Sequence, residues 1–91
     1  MDINDLCEVM QQRLAPMGGH ASVLDRHAIV LSWNHMQGLI ILSPDGGAFL
    51  KVSTSWKDSD TAITERAEDI PDKMVDLFQW FWQRRGVKFK K

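Results

Sequence analysis

Three apolar segments, residues 28–33, 38–43 and 48–54, follow one another with connections of only four residues each. Each is rich in the β-branched, aromatic and aliphatic side chains that fill strands. Parallel neighbours need a crossover of a dozen or more residues, so strands this close in sequence must pair antiparallel, as a meander. The connection Pro44-Asp45-Gly46-Gly47 reads as a strong turn, with proline preset for the first central position and glycine free to take positive φ. Residues 48–54 alternate: Ala48, Leu50 and Val52 fall on one face, Phe49, Lys51 and Ser53 on the other. That is a strand with one face on a core and one toward water. Leu39-Ile40-Ile41-Leu42 is apolar on both faces, which predicts two covers for the central strand, one of them a partner. Val23-Leu24 predicts a further short strand before a turn at Asp25-Arg26.

Helical periodicity brackets this β region. Ile3, Leu6, Cys7, Met10 and Leu14 form one apolar stripe, with Asp2 placed to cap a helix over 3–15 and Pro16 to stop it. Met74, Leu77, Phe78, Phe81 and Arg85 form a second stripe, broadened by Val75 and Trp82, over 72–85. Gly86 is the expected stop. Between them, 55–61 reads as a polar loop holding Trp56. Ser59, Asp60 or Thr61 then caps a short helix running to about Asp69, before a break at Ile70-Pro71. The expected order is α-β-β-β-(α)-α. This is an α+β, two-layer fold in which an antiparallel meander of three to four strands is flanked by an N-terminal and a C-terminal helix. Residues 1–91 read as one domain ending in a basic tail, 87–91, expected to fray.

Charge and cysteine usage narrow the function classes. Eleven basic residues oppose twelve acidic ones, which disfavours a dedicated duplex-DNA binder. Double-stranded-RNA-binding domains share the order α-β-β-β-α, but their second helix opens with a lysine cluster. Here the corresponding turn, Pro71-Asp72-Lys73, lies in the most acidic stretch of the chain, so the chemistry does not match. A single cysteine, Cys7, forms no internal disulfide and points to a reducing, cytoplasmic setting. The acidic start Met1-Asp2-Ile3-Asn4-Asp5 is unlike a signal peptide. The longest apolar run, four residues, is far too short to span a bilayer, so no membrane partner is expected.

No pattern of catalytic chemistry is legible. His20, His27 and His35 lack metal-ligand spacing, Cys7 sits on an apolar stripe, and the glycine pairs read as turn chemistry. The chain is therefore expected to be non-catalytic, with no metal and no cofactor.

Two distributions point instead to surface docking. Residues 58–76 hold seven acids and two bases, a local net of −5, whereas 77–91 hold five bases and no acid, a local +5. Four tryptophans occur with no tyrosine. Burial is the expectation for Trp33 and Trp82. Trp80 lies about 200° around the helix from Phe78, so the two cannot share a narrow buried stripe. Exposed tryptophan beside arginine is the composition of an interface hot spot. Trp56, Trp80, Arg84, Arg85, Lys88, Asp69 and Asp72 are the candidate partner-binding residues. The reading that follows is a small cytoplasmic inhibitor or accessory factor of the phage anti-defence, immunity or antitoxin type. It binds another protein, and a homodimer would use its surplus apolar surface. The alternative is a nucleic-acid-binding accessory protein using the basic C-terminus.

Overall fold

A computed structural model describes residues 2–54 and 58–89, with side chains as far as Arg84. Helix α1 (Ile3–Leu14) leads through a 3-10 turn (Ala15–Met17) into five strands: β1 (His20–Asp25), β2 (Ala28–Trp33), β3 (Met36–Leu42), β4 (Ala48–Ser53) and β5 (Ser59–Thr64). A second 3-10 turn (Ala67–Asp69) opens helix α2 (Ile70–Phe89). The strands form one antiparallel sheet in chain order, β1-β2-β3-β4-β5. The α+β meander flanked by two terminal helices is thus the architecture expected from sequence, with one more strand.

Local chemistry sets the elements. Asp2 occupies the N-cap position of α1, although its side chain makes no capping hydrogen bond. Pro16 falls in the first turn of the 3-10 segment, and Gly18 ends it at φ 81°, donating its N–H to the Ala15 carbonyl. The β3–β4 turn forms where proline and glycine demanded: Gly46 takes φ 98° and donates to the Ser43 carbonyl at 3.1 Å. The β2–β3 connection is tighter than its polar residues suggested. Trp33 pairs directly with Met36, so only Asn34 and His35 turn the chain, both at positive φ (49° and 66°). That is the type I′ geometry whose twist matches the strands it joins.

Two expectations are corrected in the last third of the chain. Residues 59–64 are not the start of a short helix but strand β5, in register with β4 from Ser53↔Ser59 to Ala48↔Thr64. Only Ala67–Asp69 forms a helical turn. The helix after it is longer than its stripe. It begins at Ile70, keeps Pro71 in its first turn where no N–H is needed, and passes through Gly86 to Phe89. An interior glycine costs a helix only about 1 kcal/mol relative to alanine, too little by itself to end it. Residues 87–89, expected as a frayed tail, are helical, and residues 90 and 91 lie outside the described set.

Both helices cover the same face of the sheet. α1 lies against β1 and β2, α2 against β4 and β5, and the helices touch each other. Leu6, Met10 and Leu14 from α1 meet Ile70, Met74, Phe78 and Phe81 from α2 over Ile29, Leu31, Ile40, Leu50 and Val52 of the sheet. Burying each such side chain contributes about 1.5–3 kcal/mol. Cross-links fix the layers: Trp33 Nε1 donates to the Met17 carbonyl, and the Ala21 N–H of edge strand β1 donates to Gln11 Oε1 of α1, each at 2.8 Å.

The other face of the sheet carries three cross-strand rows defined by the register. One is Asp25–Ala28–Ile41–Phe49–Ile63, the next Ser22–Val30–Leu39–Lys51–Thr61, the third His20–Ser32–Gln37–Ser53–Ser59. The expected helical cover of β3 is present on the core side, and none of the described residues covers the opposite side.

Candidate docking surface on the second helix

The turn-by-turn geometry of α2 separates its aromatic residues. Phe78 and Phe81 are fully buried, while Trp80, between them in sequence, is 51% exposed. The wide angular offset of Trp80 from Phe78 is therefore realised as burial on one side and exposure on the other. Arg84, one helical turn beyond Trp80, lays its guanidinium 4.7 Å from the centre of the indole ring. Cation–π contact of this kind is worth about 0.5–1 kcal/mol at an exposed site, and it holds both side chains in a defined pose. Arg84 Nη2 also stands 3.3 Å from Asp60 Oδ2 on β5, an ion-pair distance without hydrogen-bond alignment. Strand β5 thus helps to aim Arg84 across Trp80. A shallow groove beside them is lined by Ala62, Lys73, Asp76, Leu77 and Trp80.

Trp82 departs from expectation. It is 42% exposed, because the buried stripe of α2 passes through Phe78 and Phe81 and leaves Trp82 at its margin. One face of Trp82 rests against Trp33, with centroids 6.2 Å apart, and Trp33 in turn meets the edge of Phe78 at 6.0 Å. Trp33, expected to be buried, is half-buried at the end of its strand.

The two charge blocks of the sequence do not form one site. Asp69 and Asp72 lie at the start of α2, where they line a cleft with Glu65, Asp76 and Lys73. Asp72 is bridged to Arg13 of α1 at 2.5 Å. Arg66 pairs with Glu68, whose hydrogen bond and charge, with a further contribution from Asp69, raise the guanidinium pKa. Twelve helical residues at about 1.5 Å rise place Arg84 roughly 18 Å along α2 from Asp72. Arg85 and Lys88 belong to α2 by their backbone, and their side chains lie outside the described set, as does Trp56 altogether.

Among the described residues, reactive groups do not converge. His20 lies on β1, His27 in the β1–β2 turn and His35 in the β2–β3 turn. Among the described residues no three His, Cys, Asp or Glu side chains are grouped as a metal site. Cys7 is half-buried against the core. Among the described residues no helix is long and apolar enough to cross a membrane. Comparison with protein-family models, with curated proteins and with solved structures found no match.

Sequence reasoning passed over one surface. Ile63 is 73% exposed on β5, in the same row as Phe49 and Ile41. The signal was present in Ser59-Asp60-Thr61-Ala62-Ile63-Thr64, whose two threonines and isoleucine suit a strand.

Proposed function

We propose that this chain is a non-catalytic protein-binding module, an inhibitor or accessory factor that acts by docking on another protein. The observation that carries the proposal is the half-exposed Trp80 with Arg84 stacked on its ring and steered by Asp60. Tryptophan and arginine dominate interface hot spots because each brings a large desolvable surface with directional polar groups. Pre-arrangement lowers the entropy lost on binding. A cytoplasmic setting agrees with one free thiol, Cys7.

The test is affinity capture from the cell that carries the protein, using the full chain and its Trp80→Ala and Arg84→Ala variants as bait. The expected result is one stoichiometric protein retained by the parent chain and lost with Trp80→Ala. Absence of a stoichiometric partner, or equal retention by both variants, counts against this reading.

A second reading rests on the continuation of α2 to Phe89, which places Arg84, Arg85 and Lys88 on one helical segment. Such a segment could dock on a phosphate backbone. Binding to single- or double-stranded nucleic acid would then weaken steeply with salt and fall when residues 87–91 are deleted. Retention unchanged by that deletion removes the basis of this reading.

A further inference from the structure

The geometry points to a homodimer in which a second copy of this chain packs on the open face of the sheet, about a two-fold axis running along β3. The inference is independent of the Trp80–Arg84 surface, which lies on α2.

The open face is apolar where an ordinary solvent face is not. Phe49 and Ile41 are 39% and 41% exposed, and Ile63 and Val30 join them on the same face. A strand face in water is normally polar, and an exposed apolar patch of this extent marks an interaction surface. Lys51, near the middle, and Asp25, on edge strand β1, are the Asp, Glu, Lys or Arg residues in the three rows of this face.

The size of the face suits a second copy. Five strands about 4.8 Å apart, each of six residues at about 3.3 Å, give a flat footprint near 400 Å². Side-chain relief makes the accessible area larger than the flat one. That brings it to the roughly 500 Å² per partner at which a specific interface begins.

The centre of the pattern is self-complementary. Rotation about an axis along β3 keeps each row in place and exchanges β2 with β4. Phe49 then faces Ala28 of the second copy, a large ring opposite a small residue, and Ile41 faces its own counterpart, while Ile63 and Asp25 oppose each other at the outer strands, where the carboxylate keeps access to water. Lys51 falls opposite Val30 rather than opposite another lysine. The two sheets would sit about 10 Å apart with their strands nearly aligned, within the roughly 30° of aligned packing. A formal charge of −1 per chain adds little repulsion between copies.

Sedimentation or light scattering of the full chain at tens of micromolar measures the mass. The expected result is twice 10.4 kDa for the parent chain. Phe49→Asp is expected to give 10.4 kDa with unchanged far-UV circular dichroism. Ile41→Lys provides the second variant, since the lysine stem can lie along the sheet while the axis opposes two ammonium groups. A monomeric parent chain overturns the proposal. So does a dimer that survives both substitutions, because it would use another surface.

Discussion

The ring of Phe78 fills the space that a side chain on Gly38 would occupy. A Cβ on Gly38 would stand 2.6 Å from Phe78 Cζ and 2.8 Å from Met74 Cε. The inward position of β3 at this point has no side chain, and α2 uses the gap to seat one of its two fully buried rings. Gly38→Ala is therefore expected to destabilise the fold by about 1–3 kcal/mol through overpacking. Phe78→Leu, which shortens the intruding group, should recover part of that loss in the double variant. Chemical denaturation of the four proteins checks the coupling. Strict additivity would show that the ring and the glycine do not share this space.

The turn at Asn34-His35 makes an opposite prediction. His35 holds φ 66°, a left-handed conformation that costs a non-glycine residue about 1–2 kcal/mol. Asparagine tolerates it and glycine favours the second turn position. His35→Gly should stabilise the protein by up to about 1 kcal/mol, after the entropy that glycine adds to the unfolded chain. For a domain of this size that corresponds to a rise in Tm of roughly 4–8 °C. A fall in Tm would mean that the imidazole makes a stabilising contact outweighing the backbone strain.

Those two sites show where sequence and structure part company. The turn residues Pro44 and Gly46, the alternation through Leu50 and Val52, and the stripe through Met74, Phe78 and Phe81 are local signals, and each is realised. The offset of Trp80 from Phe78 was also readable, because helical geometry alone fixes it. Strand β5 gave a divided signal: Thr61, Ile63 and Thr64 suit a strand, but Ser59, Asp60 and Thr61 are also good helix caps and aspartate and alanine are poor strand formers. Its pairing with β4 and the Asp60–Arg84 link are tertiary, so no window of sequence contains them. Trp82 was misread for a related reason: an apolar residue beside the stripe is buried only if a neighbour reaches it, and Trp33 reaches one side.

Ion pairing at the surface should matter little to stability. Arg13 and Asp72 are both well exposed, so Arg13→Met is expected to cost no more than about 1 kcal/mol in low salt and less in high salt. Arg66, raised by the hydrogen bond and charge of Glu68, obeys a simple sign rule. A raised folded-state pKa contributes stability that is fully present below the unfolded pKa and lost as pH rises through the folded one. For a guanidinium both values lie in strong alkali. The difference in Tm between the parent chain and Arg66→Ala should thus stay constant from about pH 5 to pH 9. A difference that titrates in that range would assign the interaction to another group.

Adjacent positions on α2 should respond to truncation with losses of very different size. Phe81 is fully buried among core residues of both layers, so Phe81→Ala removes a ring that nothing else can replace. The expected cost is about 3–5 kcal/mol, a large share of the stability of a small domain. Trp80 lies one residue earlier, exposed on its outer side, with Arg84 over its ring. Trp80→Ala forfeits that contact and some local burial, about 1 kcal/mol in all. Urea denaturation of the two variants measures the contrast, with the midpoint of Phe81→Ala far lower than that of Trp80→Ala. Equal losses would mean that Trp80 supports the core, and its exposure could then no longer be assigned to a partner. A large difference makes Trp80→Ala a folded probe, so that any binding it loses is lost at the surface rather than through the fold.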